Sequence, residues 1–480
     1  MLFSIFALMG RRRRNQPKIF ENIEVLDTAA RGKSIAKAPD GKVVFLTNAV
    51  PGDIVTVRTG KQRKGYYEAK VIEFHKYSDK RAEAVCDHFE NCGGCKWQNM
   101  AYEHQLAYKQ NEVTQNLLRI GHLELPEVTP ILGCKEIYNY RNKMEFSFSA
   151  KRWLTWEEIE SDKEIEAFPA CGFHISGMWD KILDIEKCHL QEEPSNAIRN
   201  FVKNFAITHK IPFFDPRLQE GLLRTLMIRN TSTKELMIVL QFFENDKQNI
   251  EKIMQAIAVE FPQINSLQYV VNPKANDTIY DLDITLYKGK DHIVEEMEGL
   301  KFKINAKSFY QTNSLQAYEL YKITRNFANL SGDELVYDLY TGTGTIAQFI
   351  AKKAKKVIGV ESVPEAIADA KINAKNNHIN NVEFYVGDMK DVFTNDFLNK
   401  HGQPDVIITD PPRDGMHKKV VAQILKIAAK RVVYVSCNSA TQARDLEILA
   451  EKYKIIKTQA VDMFPQTHHV ENVVLLELRD

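Results

Sequence analysis

The chain has 480 residues, 44% of them apolar and 26% charged, with a formal net charge of +1. These are ordinary values for a globular protein of two to four domains, and they exclude a disordered, collagenous or membrane-embedded chain. The charge is unevenly placed: residues 1–80 hold sixteen Lys and Arg against eight Asp and Glu, a net of +8 that leaves −7 for the rest, so a footprint for a polyanion is expected near the N-terminus.

Met1 to Leu8 is apolar, and Arg11 to Arg14 follow it. A secretory leader carries its charge before a longer apolar stretch, so residues 1–17 read as a basic tail on a cytoplasmic protein. No other stretch approaches the ~18 apolar residues of a membrane span, and no membrane partner is expected. Residues 18–80 alternate in apolar character between turn signals such as Val50-Pro51-Gly52-Asp53. They predict a small β-barrel, with Lys61, Arg63, Lys64 and Tyr66 on a basic hairpin tip suited to RNA. Gln98 to Ile120 reads as one helix with Leu106, Val113 and Leu117 on one face and Gly121 as its C-terminal cap. Residues 130–300 are a mixed α+β stretch with an acidic, loop-like insertion from Lys151 to Ala167. From about 305 onward the pattern alternates between strand and helix. Strands are predicted at 335–339, 356–360, 382–386, 405–409, 431–435 and 470–477, and helices around 345–354, 364–377, 417–429 and 440–452. That is the signature of a doubly wound, mainly parallel sheet whose ligands lie at the C-terminal strand edges.

Four motifs carry chemistry. Asp338-Leu-Tyr-Thr-Gly342-Thr-Gly344-Thr345 is a glycine turn opening a helix, and the strands after it end in Glu361 and in Gly387-Asp388. Carboxylates beside such a turn suit a ligand with an amine and a ribose, which favours S-adenosylmethionine over NAD. Asp410-Pro411-Pro412-Arg413 ends the next strand in a stiff loop, because proline fixes φ. Cys437 ends the strand Val433-Tyr434-Val435-Ser436, and Glu471 lies at the start of the last strand. A pyrimidine C5 is too weak a nucleophile to attack a methyl donor. Thiolate addition at C6 activates it, and a base must then remove the C5 proton. Cys86-x5-Cys92-Gly-Gly-Cys95 is a three-thiolate cluster that needs a fourth ligand, for which Cys134, Cys171 and Cys188 compete. By spacing alone, zinc and an iron–sulfur cluster fit equally.

These motifs, with Val435-Ser-Cys-Asn438 and His469-Val-Glu471, occur in an order that resembles the RNA uracil-C5 methyltransferases, specifically the branch acting on 23S ribosomal RNA. The resemblance spans nearly the whole chain. It implies a multi-domain architecture: an OB-like TRAM β-barrel over 18–80, a central α+β domain over 81–303, and a Rossmann-like class I methyltransferase domain over 304–480. The helix at about 98–121 would pack on the catalytic domain. The resemblance further implies a [4Fe-4S] cluster on Cys86, Cys92, Cys95 and Cys188. It implies donor contacts from Gln311, Tyr340, Glu361, Asp388 and Asp410, with Cys437 as nucleophile and Glu471 as base. The expected enzyme is a monomer acting on 23S rRNA, or with the same chemistry on a transfer RNA or a second ribosomal uridine. One departure is Thr345, where the family often has Asn.

Overall fold

The computed structural model describes residues 17–62, 65–154, 158, 161 and 168–479. The basic tail, Arg63 and Lys64 and the side chain of Lys61 at the expected hairpin tip, and most of the acidic insertion lie outside the described residues. The chain divides into two compact units, one of residues 1–84 and 96–104, the other of residues 85–95 and 105–480. Among the described residues no helix is long and apolar enough to cross a membrane.

In the first unit, β1 (Ile19–Ala29), β2 (Lys33–Lys37), β3 (Val43–Leu46), β4 (Ile54–Gln62) and β5 (Tyr66–Lys76) close into a barrel in the order β1-β2-β3-β5-β4. The two-residue period of a strand turns every second side chain inward, so Ala36, Val44, Leu46, Val55, Val57 and Tyr67 form its core. The predicted turn is fixed by Asp53, whose fully buried carboxylate accepts the backbone N–H groups of Val50 (2.7 Å) and Ser78 (2.9 Å) and a two-pronged contact from Arg81.

In the second unit, helix Tyr102–Arg119, whose residues from Gln105 onward belong to it, is followed by β6 (Thr129–Leu132). Seven strands then make the central sheet: β7 (Lys143–Ser149), β8 (Ala170–His174), β9 (Ile182–Asp184), β10 (Leu223–Asn230), β11 (Leu236–Phe242), β12 (Ser266–Val271) and β13 (Thr285–Gly289). They run in the order β13-β12-β11-β10-β7-β8-β9, antiparallel except for β11 with β12. A hairpin of β14 (His292–Met297) and β15 (Leu300–Asn305) precedes the last sheet.

That sheet contains β16 (Leu335–Leu339), β17 (Lys356–Glu361), β18 (Val382–Val386), β19 (Val406–Thr409), β20 (Arg431–Ser436), β21 (Tyr453–Val461) and β22 (Glu471–Leu478), in the order β18-β17-β16-β19-β20-β22-β21-β6. The first five are parallel, while β22 lies antiparallel between β20 and β21. The strand order reverses at β16, between β17 and β19, where an open α/β sheet leaves a crevice for ligands. β21 was not anticipated, and neither was β6 as an edge strand parallel to β21. The two sheets share a core: Met227, Val239 and Ile293 pack in one cluster with Val336, Val357 and Val433.

The helix after the cysteine cluster differs from its sequence reading in two respects. Its buried face is Gln105, Lys109, Val113 and Leu117, with Leu106 only half-buried. The polar half of that face is matched: the Lys109 ammonium meets Asp462 at 2.6 Å, both side chains fully buried, and Gln105 exchanges hydrogen bonds with Gln466. The left-handed residue after the helix is His122 (φ 49°), not Gly121. Gly121 is required for space instead, since a Cβ there would lie 2.7 Å from Leu123 Cδ1 and 2.9 Å from the Ala443 carbonyl.

Candidate active site

The glycine turn leaves β16 through Tyr340, which takes a left-handed φ of 63°, an uncommon conformation for a bulky residue. The two glycines have different duties. At Gly344 (φ 74°) a Cβ would lie 2.6 Å from the Phe384 ring, so packing demands glycine there. At Gly342 (φ 55°) nothing lies within 4 Å of a Cβ, so the backbone is open to a ligand. The Gly342 N–H donates to Glu361 at 3.2 Å, and the other Glu361 oxygen accepts from Ser362 and Val363. Asp338 is buried behind the turn and accepts the Thr341 hydroxyl at 2.5 Å. Asp388 is exposed, caps the short helix Met389–Val392 and pairs with Lys390, which lowers its pKa. Burial, with Asp388, Asp445 and Glu361 nearby, pushes the Tyr340 phenol up to about 12.

Asp410 follows β19 directly. The Pro-Pro loop beyond it is held by Asp445, whose buried carboxylate accepts the Met416 N–H (2.7 Å), the Tyr434 hydroxyl (2.8 Å) and the Arg444 guanidinium. Cys437 follows β20, and Asn438 caps helix Ser439–Leu449 by accepting the Ala440 N–H. The last register pair between β20 and β22 is Ser436 with Asn472, which sets Cys437 beside Glu471 at neighbouring strand ends. Behind them Gln442 bonds the carbonyls of Tyr434 and Asn472 and accepts from the Asn472 amide, tying helix to strands.

Burial dominates the electrostatics here, because desolvation disfavours the charged form. It raises Asp410 to about 7, aided by Asp338, and Asp338 to about 7, aided by Glu361. Glu471 rises to about 8 through burial and then Asp410, opposed by Arg413. The Cys437 thiol is pushed up to about 11 by burial, then by Glu471 and Asp410, again with Arg413 opposing. A thiol, a carboxyl that titrates near neutrality and two further buried carboxyls are therefore brought together at neighbouring strand ends.

Gln311 lies apart from this group in sequence and is half-buried; its backbone carbonyl accepts the Asn142 amide at 2.8 Å, and Asn313 bonds the Met463 carbonyl at 3.0 Å. Sequence reasoning missed Tyr321, which is buried on helix Ser314–Ala328 with the carboxyls of Asp410, Asp338 and Glu471 as its neighbours. Asp338 was legible as the acid ending the glycine-turn strand; nothing local marks Tyr321.

The metal-site candidates lie on two segments that touch. The His88 imidazole accepts the Glu186 N–H at 3.1 Å, and Gly93 sits where a Cβ would collide with the His174 carbonyl. Cys86 lies near Cys188, and Cys86 and Cys95 both lie near Tyr138. Cys171 is fully buried in β8, its thiol raised to about 12 by burial. Among the described residues, no three His, Cys, Asp or Glu side chains are disposed to hold a metal ion. The donor types and their proximity suit a thiolate-bound metal group, while the side chains do not close on a common point.

The model of the tRNA (uracil-5-)-methyltransferase family matches residues 230–479. The chain is 57% identical over 454 residues to an RNA methyltransferase of Bacteroides thetaiotaomicron, covering 94% of this chain and 100% of that one. It is 54% identical over 461 residues to an RNA methyltransferase of Porphyromonas gingivalis, covering 95% and 99% respectively. Among solved structures it resembles the Pyrococcus abyssi tRNA (uracil-54, C5)-methyltransferase in complex with S-adenosyl-L-homocysteine, with a TM-score of 0.73 and 26% identity, covering 95% of this chain and all of that one.

Proposed function

The chain belongs to the tRNA (uracil-5-)-methyltransferase family and is an S-adenosylmethionine-dependent RNA (uracil-C5) methyltransferase; on that footing we propose that it methylates a uridine of 23S rRNA through a covalent bond between Cys437 and uracil C6. The observation carrying the mechanism is the placement of Cys437 and Glu471 at adjoining strand ends beside Asp410. The Cys437 sulfur bonds C6, and the C5=C6 electron pair moves onto the C4 oxygen. C5 then takes the methyl group, and the electrons of the broken sulfonium bond stay with the donor's sulfur. Glu471, held near 8 by burial and Asp410, removes the C5 proton. That pair restores C5=C6, and the sulfur departs as thiolate.

The donor is placed against the open backbone of Gly342, with Tyr340, Glu361, Asp388, Asp410 and Gln311 contributing. The domain reading is a TRAM barrel over 18–80, a central domain over 81–303 and a catalytic domain over 304–480. The barrel offers RNA a face carrying Lys18, Lys42 and Lys33, the last over the half-buried Phe45 ring. Cys86, Cys92, Cys95 and Cys188 would hold a [4Fe-4S] cluster, which when bound would supply a structural link between their two segments. The acting species is a cytoplasmic monomer.

A second reading, a transfer RNA target, is favoured by the archaeal tRNA enzyme, whose match extends over 95% of this chain. Purified protein, given the methyl donor with 23S rRNA or transfer RNA lacking 5-methyluridine, separates the two. Nucleoside mass spectrometry should find the product in 23S rRNA. Its appearance in transfer RNA alone would establish the second reading.

A further inference from the structure

Arg413 is held from both sides of the reacting centre. Its backbone carbonyl accepts the Asn438 side-chain amide at 2.9 Å and the Thr441 hydroxyl at 3.0 Å, one and four residues past Cys437. Its Nη2 lies 3.3 Å from His469 Nδ1, two residues before Glu471. His469 cannot share the charge: burial, His468 (its ring tilted against it at 4.1 Å) and Arg413 itself hold it down to about 3, so its neutral ring accepts from Arg413. Among the described residues Arg413 forms no salt bridge, and its positive charge is the one that favours ionisation of the Cys437 sulfur. The charge is thus positioned but uncommitted. The other groups around that sulfur are Asp410 at the end of β19 and Glu471 at the start of β22, and both act against a thiolate.

We propose that Arg413 is a catalytic residue whose charge favours the Cys437 sulfur as thiolate when it attacks the pyrimidine and again when the adduct breaks down. The inference rests on the covalent reading above. The thiol proton passes to solvent as attack begins. At the end of each cycle the C6–S electron pair returns to sulfur facing the guanidinium, which stays protonated throughout. Arginine here supplies fixed charge and moves no proton.

The test is iodoacetamide alkylation of the full-length, RNA-free protein from pH 6 to 11, read on the Cys437 peptide by mass spectrometry, with Cys134 as the internal control. In Arg413→Gln the Cys437 rate at each pH below 10 should fall about tenfold or more, as expected for a one-unit rise on loss of a neighbouring cation, with Cys134 unchanged. Arg413→Lys should restore most of the difference. An Arg413→Gln profile overlying that of the parent protein would overturn the proposal, as would equal shifts at Cys437 and Cys134. A failure of Cys437 to trap RNA, with the alkylation shift present, would instead count against the covalent reading.

Discussion

Replacing Glu471 by Gln isolates what burial of this base costs the fold. The carboxyl is 5% exposed and carried from 4.5 to about 8, which corresponds to ~5 kcal/mol at about 1.36 kcal/mol per decade. Part of that belongs to its coupling with Asp410, so removal of about 2–3 kcal/mol is expected. Because the folded pKa is raised, the group's stabilising contribution is fully present below about 4.5 and is lost as pH rises toward 8. In that window the unfolded chain ionises while the folded one retains its proton. Gln has nothing to ionise. Thermal melts of the donor-free protein between pH 5 and 9 should therefore show the parent losing a few degrees more than Glu471→Gln. Asp338, near 7, adds a slope common to both proteins, while Asp410 enters through its coupling with Glu471. Parallel melting profiles would refute the burial argument for Glu471.

The other predictions concern the fold around the site. Lys109→Met leaves Asp462 buried without its counter-charge and should cost about 3–5 kcal/mol; adding Asp462→Leu should recover most of it in denaturant melts. Gly344→Ala drives a methyl into Phe384 at a positive φ and should lower the melting temperature. Gly342→Ala, with open space around it, should chiefly weaken donor binding by calorimetry, and the reverse pattern would contradict the division of roles. Anaerobically purified protein should contain iron and sulfide and lose them in Cys188→Ser but not in Cys134→Ser; a zinc-loaded preparation would contradict the cluster.

The positions of the candidate site residues could be read from sequence because an α/β sheet collects its chemistry at strand ends, and strand ends are local features. Asp338, Glu361, Asp410 and Cys437 each close an apolar run, and Glu471 opens one. The Tyr453–Val461 strand was missed because Lys454, Lys457, Thr458 and Gln459 interrupt its apolar pattern, and pairing with β22 decides it. The Lys109–Asp462 pair and the Arg413–His469 contact join residues 353 and 56 positions apart, beyond any local periodicity. Leu106 looked like core because an apolar residue outweighs Gln and Lys in a pattern reading. The structure buries Gln105 and Lys109 instead, since the loop leading to Glu471 offers them partners.

The central claim is covalent activation of a uracil by Cys437. The most direct measurement is incubation of the protein with 5-fluorouracil-substituted 23S rRNA fragments and S-adenosylmethionine, followed by digestion and mass spectrometry. Fluorine at C5 leaves Glu471 no proton to remove, so the methylated adduct should persist on the Cys437 peptide and be absent in Cys437→Ala. An adduct on another residue, or one that survives undiminished in Cys437→Ala, would contradict the account.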